Sequence, residues 1–503
     1  MNENQIALNP NPLVQYLKKP ASEFTKSDII EFITQYGIEM INFRYVADDG
    51  RLKSLNFVVN DLNYIDNILS TGERVDGSSL FPYIEAGSSD LYVVPRYRTA
   101  FLNPFEEIPT LDILCSYYTF DGKPLETSPE FLLQKAHNIF KEKTGFTFKA
   151  LGELEYYIID DRENCEMYKA RDQGAYHEEE PFVKFAYIRR KAMQLIAQCG
   201  GNIKYGHSEV GGFYDEEKYY EQQEIEFLPI SAEDAADQLV VAKWILRCLC
   251  HNEGLEISFA PKITVGKAGS GMHIHMMLEK DGRNAMVENN KLSNNAKTLI
   301  AGILSLADAL TAFGNTIPTS YLRLVPHQEA PTNICWGDRN RSVLVRVPLG
   351  WIGADDIIKH ANPNCKEQST KRDSKQTVEI RSGDGSADIH RYIAGLIVAG
   401  IHGFEMEKPL ELAEKLYVDV NIFKEEHKDK LEQLEGLPIS CYESALSLES
   451  KRQYFEKYDI FPKGMIDSIV EKLKSYNDKN LSEELYGKHE EIAKLVNKYL
   501  HCK

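Results

Sequence analysis

The sequence lacks the features that mark disulfide-rich, secreted and membrane-spanning proteins. Its nine cysteines are scattered, without a CxxC pair, so neither a disulfide framework nor a cysteine zinc site is expected. The most apolar run, YIAGLIVAGIHGF, is short and broken by glycines, and the N-terminal MNENQIALNPNP has no basic and apolar leader pattern. We therefore expect a cytoplasmic protein with reduced cysteines, no membrane span and no signal peptide.

The sequence has only 58 basic residues against 76 acidic ones, and its formal net charge is -18 at pH 7. An acidic surface repels nucleic acid and anionic membranes, so neither is expected as a partner. The chain also has no GxxxxGK(S/T) loop and no HRD and DFG kinase motifs. A bound nucleotide would therefore have to lie on the face of a sheet rather than in a phosphate-wrapping loop.

The length and the hydrophobic pattern predict an α+β protein with two domains. We expect a small sheet domain at 1–121 and a larger domain at 122–503, which ends in a helical, highly charged region. Strands and long helices mix irregularly in the larger domain, a pattern that favours a mainly antiparallel sheet over regular βαβ units. Residues 160–181 and 211–222 are polar and are expected to form loops.

Two local signals in the first domain are specific. TKSDIIEFITQYG has a capping threonine, an amphipathic run and a terminal glycine, so it predicts a helix that ends at Gly37. The turn Asp48-Asp49-Gly50 separates two strand-like runs and predicts a hairpin.

Charged residues recur at strand spacing in the second domain. Side chains at positions i and i+2 of a strand share one face. Such pairs are Glu153 and Glu155, Glu224 and Glu226, His273 and His275, and Glu379 and Arg381; nearby runs add Arg323, Glu329, Arg339, Arg341 and Arg346. Any one pair is most simply a strand with one wet face. Together they are unusual, because ordinary wet faces use lysine, serine and threonine freely.

This choice of residue types indicates a chemistry. Carboxylates with an imidazole suit Mg²⁺ or Mn²⁺, which prefer oxygen-rich sites. Planar guanidinium groups bind phosphate and carboxylate in a bidentate manner. Glutamates, a divalent metal and arginines are the equipment of phosphoryl transfer, in which the protein positions oxygens and neutralises developing charge.

Several blocks of the chain resemble the glutamine synthetases of the bacterial type. The blocks occur in the family's order and span residues 40 to 400, and more loosely to 475. They are VDGSSL, SSDLYVVP and NPFEEIPTL in the first domain, then GELEYYIID, HSEVGG, EQQEIEF, GSGMHIHMML, SYLRLVPHQEAP, DRNRSVLVRVP and VEIRSGDGSAD in the second.

The resemblance implies a fold and an activity. It implies an N-terminal β-grasp domain, a catalytic domain with a curved antiparallel sheet, and a homo-oligomer of two stacked hexameric rings with active sites between neighbouring subunits. The implied reaction joins ammonia to the γ-carboxylate of L-glutamate through γ-glutamyl phosphate. ATP is the co-substrate, and two or more Mg²⁺ or Mn²⁺ ions are implied in each site.

The resemblance also implies residue roles. One metal would be held by Glu155, Glu209 and Glu224, and the other by Glu153, His273 and Glu379. Glutamate would be bound by Arg323 and Gly269, with Arg381 near its side chain and the transferred phosphoryl group. The nucleotide would contact His275, Arg341, Arg346 and Lys375. Glu329 would shield the acyl phosphate and take a proton from the amine, and Tyr176 would line the ammonium pocket.

The chain departs from the family pattern around the substrate. Ala268 replaces an asparagine near glutamate, Met277 replaces a serine, and Thr377 replaces an arginine near ATP. The aspartate that reaches a neighbour's ammonium site aligns with Ala47, although Asp48 or Asp49 can replace it after a one-residue shift.

These departures leave three alternatives. The chain is a glutamine synthetase, a γ-glutamyl ligase for a polyamine or other organic amine, or a silent relative. The silent relative is disfavoured because all six metal-ligand positions are present. Tyr417 lies near the position of a regulatory tyrosine in the family, but an ordinary surface tyrosine is the simpler expectation.

Overall fold

The computed structural model describes residues 3–85, 87, 89–325, 330–350, 357–365, 374–422 and 424–502. Two sheets organise the chain, a small one in the N-terminal part and a larger, strongly curved one in the rest. Each sheet is covered by helices and has its own hydrophobic cluster. This mixed architecture confirms the α+β prediction, while the division at residue 121 stays a prediction.

The N-terminal sheet has the strand order β2-β1-β6-β4-β3, with β5 paired to β6. Strand β1 is antiparallel to β2 and parallel to β6. The strands are β1 (Met40–Val46), β2 (Leu52–Val58), β3 (Glu73–Asp76), β4 (Asp90–Pro95), β5 (Phe101–Leu102) and β6 (Thr110–Tyr118); the helices are α1 (Glu3–Ala7), α2 (Pro12–Leu17), α3 (Lys26–Tyr36) and α4 (Leu62–Thr71).

Both local predictions in this region are confirmed. Helix α3 begins with a capping box between Thr25 and Asp28 and ends at Gly37, whose φ of 61° is the left-handed conformation that glycine tolerates. Strands β1 and β2 form the predicted hairpin, with Val46 opposite Leu52.

The larger sheet has the order β16-β17-β18-β12-β7-β9-β8, and β10, β11 and β13 pair at its sides. All its pairs are antiparallel except β16 with β17. Its strands are β7 (Thr147–Asp161), β8 (Ile203–Tyr214), β9 (Lys218–Phe227), β10 (Ile230–Ser231), β11 (Glu256–Ser258), β12 (Met272–Lys280), β13 (Arg283–Asn284), β16 (Trp336–Asp338), β17 (Val345–Val347) and β18 (Val378–Ile380), and β14 (Val287–Glu288) pairs separately with β15 (Lys291–Leu292).

Helices pack against this sheet and fill the C-terminal region, as predicted. They are α5 (Pro129–Thr144), α6 (Ala186–Gln198), α7 (Ala232–Asn252), α8 (Asn294–Ser305), α9 (Ala307–Gly314), α10 (Ser320–Arg323), α11 (Ile357–Ala361), α12 (Ile389–Glu405), α13 (Pro409–Lys415), α14 (Lys428–Glu432), α15 (Cys441–Glu456), α16 (Lys463–Ser475), α17 (Leu481–Glu484) and α18 (His489–Lys498). Taken singly, none of the described helices has the length and apolar character of a membrane span; α8 and α9 meet those criteria only together, across a 75° bend.

The predicted loop at 211–222 is wrong. Strand β8 continues to Tyr214 and β9 begins at Lys218, so only a tight turn separates them. The polar appearance misled because aromatic rings pack this hairpin: Phe213 stacks on Tyr220 with ring centroids 4.5 Å apart. Because aromatic rings pack β8 against β9 here, this part of the sheet needs few aliphatic residues.

An ion pair joins the N-terminal part to the rest of the chain. Arg96 donates two hydrogen bonds to the Asp237 carboxylate on α7, at 2.7 and 3.1 Å, and His390 lies 3.3 Å from the same group. Burial alone would raise the pKa of Asp237, but Arg96 and His390 outweigh it and hold the pKa well below its usual range. The Asp237 carboxylate therefore stays ionised and fixes Arg96 in place.

Replacing Asp237 with asparagine is expected to destabilise the fold by about 3 kcal/mol, because it leaves the Arg96 charge buried without a counter-ion. Because the pKa of Asp237 is lowered in the folded protein, the ion pair contributes its full stabilisation at neutral pH, and this stabilisation decreases as the pH falls below about 4. Urea denaturation at several pH values measures it. The control is Asp66→Asn, which breaks the exposed pair with Lys26 and should cost less than about 1 kcal/mol. Equal effects of the two variants at neutral pH would contradict the prediction.

Candidate active site

A cleft of about 1120 Å³ lies against one face of the larger sheet. Its walls contain every predicted site residue that the structure describes: Glu153, Glu155, Tyr176, Glu209, Glu224, Gly269, His273, His275, Arg323, Arg341, Arg346, Lys375, Glu379 and Arg381. Glu329 lies outside the described residues. One cleft thus brings together residues that are up to 228 positions apart, from Glu153 to Arg381.

Strand register explains this convergence. Glu153 on β7 is directly opposite His273 on β12, and Glu155 is opposite Glu224 on β9. His275 is opposite Glu379 on β18. Since directly opposed residues point to the same face of a sheet, these pairs line one surface of the cleft.

Glu153, His273 and Glu379 form the first cluster of the cleft. One ligand atom from each lies within 4.8 Å of the others. His273 Nδ1 is 2.8 Å from Glu153 Oε2 and 3.4 Å from Glu379 Oε1. Two carboxylates and an imidazole converging on one point fit a divalent cation such as Mg²⁺ or Mn²⁺.

His207, Glu209 and Glu224 form the second cluster, again with one ligand atom each within 4.8 Å. His207 is the residue that sequence reasoning missed. A signal was available, because His207 and Glu209 stand two apart on β8 and share a face. Glu155, predicted as a ligand here, lines the cleft and accepts from the amide of Gly271 at 2.8 Å through one oxygen; its role as a ligand stays a prediction.

The two clusters differ in charge. Burial raises the pKa of Glu224, and the surrounding carboxylates, Glu153 foremost, raise it well above its usual range. Burial would also raise the pKa of Glu153, but His275 and His273 outweigh it and hold the pKa well below the usual range. A cation at the second cluster would have to displace the proton that Glu224 prefers, so occupancy there would rise with pH.

The Gly269-Ser270-Gly271 run is shaped by Arg323. A Cβ on Gly271 would lie 2.6 Å from Arg323 Nη2 and 2.7 Å from His273 Nε2, and one on Gly269 would lie 3.0 Å from Arg323 Cγ. Arg323 is buried and donates to the carbonyl oxygen of Ser382 at 2.9 Å. Glycine at these positions therefore lets the Arg323 guanidinium approach the His273 imidazole, at 3.3 Å.

Arginines surround Glu379 on its other side. Arg346 Nη1 and Arg381 Nε donate to its two carboxylate oxygens, at 2.8 and 3.1 Å. Arg381 also donates to the main-chain oxygen of Arg341, whose own side chain is exposed, as is Lys375. Guanidinium groups beside a candidate cation site provide for an anionic ligand such as a polyphosphate.

Aromatic and imidazole rings lie at the exposed edge of the cleft, next to the second cluster. The Tyr176 ring is 4.3 Å from that of His177 and 5.4 Å from that of His207, and Tyr176 is half exposed. Tyr417 is exposed and packs against Trp336, 4.8 Å between ring centroids. Nothing in its contacts distinguishes Tyr417 from an ordinary surface tyrosine.

Acidic clusters ringed by arginines on an antiparallel sheet fit one class of protein, the enzymes that handle phosphate groups with divalent cations. Comparison with known proteins identifies the family. The family model for the glutamine synthetase catalytic domain matches residues 126–486, and that for the glutamine synthetase β-grasp domain matches residues 37–120. The chain belongs to the glutamine synthetase family and is a ligase of the glutamate–ammonia ligase type.

Individual relatives agree. Glutamine synthetase from Clostridium saccharobutylicum is 28% identical over 457 residues, covering 89% of this chain and 93% of the relative. The enzyme from Thermotoga maritima is 28% identical over 467 residues, covering 91% and 96%. The predicted family and the predicted β-grasp and catalytic folds are thereby confirmed.

Solved structures show the same fold. Plasmodium falciparum glutamine synthetase superposes with a TM-score of 0.74 at 20% identity, covering 94% of this chain and 98% of that one. A structure titled "Apo GmaS without ligand" superposes with a TM-score of 0.70 at 16% identity, covering 91% and 97%.

Proposed function

We propose that this protein joins ammonia to the γ-carboxylate of L-glutamate at the expense of ATP, and releases glutamine, ADP and phosphate. The observation that carries the proposal is the convergence of Glu153, His273 and Glu379 beside Arg323 and Arg381 in one cleft. Family membership indicates the reaction class. The cluster favours an active enzyme, because a catalytically silent relative would not need these residues.

Two cation positions follow from the two clusters. Glu153, His273 and Glu379 would hold one Mg²⁺ or Mn²⁺ ion, and Glu209 and Glu224 would hold the other, with His207 and Glu155 beside them. Bound divalent cations supply charge neutralisation for the phosphate oxygens and orient the carboxylate of the substrate. The fit rests on the donor set, since it is oxygen-rich and contains no cysteine.

Arginines take the anionic groups of the substrates in this proposal. Arg323, fixed by main-chain carbonyls, binds the α-carboxylate of glutamate, and Gly269 lies beside it. Arg381 faces the transferred phosphoryl group, while Arg341, Arg346, His275 and Lys375 face the rest of ATP.

The two-step chemistry has a physical reason. A carboxylate is a poor electrophile, and phosphorylation by ATP gives γ-glutamyl phosphate, whose phosphate can leave when the amine attacks. That intermediate is also open to water, so a closed, dry site protects it. The assignment of this shielding and of proton removal to Glu329 stays a prediction.

The assembly and location follow the family. We propose a homo-oligomer of two stacked hexameric rings in the cytoplasm, with active sites between neighbours. In support, the half-exposed Tyr176 leaves one side of the cleft rim uncovered within the single chain.

Three positions compete to supply the aspartate of the ammonium site. Ala47 is buried and carries no charge. Asp48 is engaged within its own chain, 2.9 Å from Arg391. Asp49 is about half exposed at the hairpin tip, and its nearest partner is the similarly accessible Lys53. We propose that Asp49 is the residue that reaches a neighbouring subunit.

Replacing Asp49 with asparagine is therefore expected to raise the KM for ammonia about tenfold, since a small cation needs nearby negative charge. The matched control is Asp48→Asn, which should lower stability through Arg391 and leave the KM for ammonia within about twofold. Initial rates over an ammonium series measure both. The reverse pattern, with Asp48 controlling the KM, would overturn the assignment.

A second candidate function is ligation of glutamate to an organic amine. The buried Ala268, which lines the cleft, favours it, because the family pattern has a polar residue near glutamate at this position. The structural likeness to GmaS, a γ-glutamylmethylamide synthetase, is consistent with it.

A phosphate-release assay separates the two functions. Purified protein, ATP, Mg²⁺ and glutamate are offered ammonia, methylamine, putrescine or ethanolamine separately. Saturation by ammonia at low millimolar concentration, with no gain from the amines, supports glutamine synthesis. A strong preference for one amine supports the second candidate, and no turnover with any acceptor would refute both.

A further inference from the structure

We propose that the segment Tyr499–Cys502 is a positioning element for the glutamate end of the cleft, and that it acts through Tyr157. The proposal rests on the proposed function, because it takes glutamate to bind beside Gly269. The match to the catalytic-domain family model ends at residue 486, so family membership assigns this segment no role.

The segment is held through its main chain. Three successive carbonyl oxygens accept hydrogen bonds, that of Leu500 from Ser258 Oγ at 2.6 Å, that of His501 from Arg51 at 2.7 Å, and that of Cys502 from Arg247 at 3.1 Å. The donors belong to β11, to the turn between β1 and β2, and to α7. The segment therefore joins the tip of the N-terminal hairpin to the larger sheet and to α7.

The side chains of the segment pack on a small hydrophobic cluster of the larger sheet. Cys502 is buried in this cluster, and Tyr499 and Leu500 pack against it. The other members of the cluster are Tyr157, Ile159, Phe213, Ala260, Ile263 and Ile317. The segment thus helps to keep water from the side chains around Tyr157.

Tyr157 connects this cluster to the run that forms the glutamate end of the cleft. It is fully buried on β7, and its hydroxyl donates to the main-chain oxygen of Ala268 at 2.8 Å. A side chain at Gly211 would collide with that hydroxyl, so the glycine makes room for it. Because Ala268 has no polar side chain, it can be hydrogen-bonded only through its main chain.

The far side of the run is attached to the same cluster. The amide of Ser270 donates to the carbonyl oxygen of Pro261 at 3.1 Å, and Pro261 lies between two cluster members, Ala260 and Ile263. The run is therefore attached to the cluster on both sides of Gly269. Displacing the segment should disturb glutamate binding more than ATP binding, because the residues that face ATP in the proposed function lie outside this cluster.

The first test is Tyr157→Phe, which removes only the hydroxyl. The KM for glutamate is expected to rise about fivefold, because the carbonyl of Ala268 loses a buried donor, while kcat and the KM for ATP stay within about twofold. Initial rates over a glutamate series and an ATP series measure these constants.

The second test is Leu500→Asp, which places a charge against the apolar cluster and should release the segment. The KM for glutamate is expected to rise about tenfold, and the amides of residues 259–271 should exchange about tenfold faster in hydrogen–deuterium exchange followed by mass spectrometry. Combined with Tyr157→Phe, Leu500→Asp should raise this KM no further than it does alone, because residues that act through one contact are not additive.

Two further variants accompany the second test. Leu125→Asp changes a partly buried leucine that packs on the N-terminal cluster, and it should leave the KM for glutamate and the exchange of 259–271 near the wild-type values. Ser258→Ala removes the side-chain hydrogen bond to Leu500. It should change both quantities in the same direction as Leu500→Asp but less, and it carries the test if Leu500→Asp does not fold.

Three results would overturn the proposal. The first is an unchanged KM for glutamate and unchanged exchange of 259–271 in a folded Leu500→Asp protein. The second is an equal rise in the KM for glutamate and the KM for ATP, which would indicate general loosening. The third is additivity of Tyr157→Phe and Leu500→Asp, which would mean that the segment does not act through Tyr157. The exchange measurement needs no turnover, so failure of this proposal is distinguishable from failure of the ligase function.

Discussion

Replacing His273 with alanine is expected to lower ATP-dependent ligation by about a thousandfold or more. His273 Nδ1 lies 2.8 Å from Glu153 and 3.4 Å from Glu379, so its loss removes the imidazole of the first cluster and leaves two carboxylates facing each other. A cation clamp stabilises the transition state by several kcal/mol, and each 1.36 kcal/mol is a factor of about ten in rate.

The effect should be chemical rather than structural. His273 is opposite Glu153 in the middle of the sheet, and its neighbours on β12, Met272 and Ile274, carry the packing on the other face. The variant should keep its oligomer size and its circular dichroism. His251→Ala changes an exposed histidine outside the cleft and should leave kcat within about twofold. Substantial activity in His273→Ala would show that the first cluster does not hold the cation.

Replacing Arg381 with methionine is also expected to have a large effect. The kcat should fall by about a thousandfold, whereas the KM for glutamate should change less. Arg381 is buried, and its Nε holds Glu379 at 3.1 Å. An arginine aimed at a phosphoryl group stabilises charge that develops only in the transition state, and such arginines contribute about 10³-fold or more. A large fall in kcat with a small change in the KM for glutamate would identify that role.

A merely structural role for Arg381 would give a different result. Loss of a contact that only positions Glu379 would raise both the Mg²⁺ concentration needed for activity and the KM for glutamate, and added Mg²⁺ would restore the rate. Arg190→Met is the matched control, because Arg190 is an exposed arginine paired with Glu180 on the surface. Rescue of Arg381→Met by high Mg²⁺ would contradict the assignment to the phosphoryl group.

The convergence of the candidate cation ligands could be predicted from the sequence, because residues i and i+2 of a strand share a face. Glu153 and His273 were each recognisable as members of an i, i+2 pair, and antiparallel register then places them opposite one another. His207 was missed because its partner, Glu209, was read only as a single glutamate.

Other features depend on information that a linear pattern does not contain. The segment at 211–222 is strand because Phe213 and Tyr220 stack across the sheet, and stacking is invisible in composition. The role of Asp48 was undecided until its contact with Arg391, 343 positions away, was placed.

The central claim is that this cleft activates the γ-carboxylate of glutamate as an acyl phosphate. The most direct measurement uses glutamate labelled with oxygen-18 in the γ-carboxylate, with ATP, Mg²⁺ and ammonia, followed by mass spectrometry of the released phosphate. Transfer of the phosphoryl group to the carboxylate predicts one labelled oxygen in each phosphate, and none when His273→Ala replaces the wild type because turnover is lost. Unlabelled phosphate released by the active wild type would contradict the account, because it would mean that ATP is hydrolysed by water.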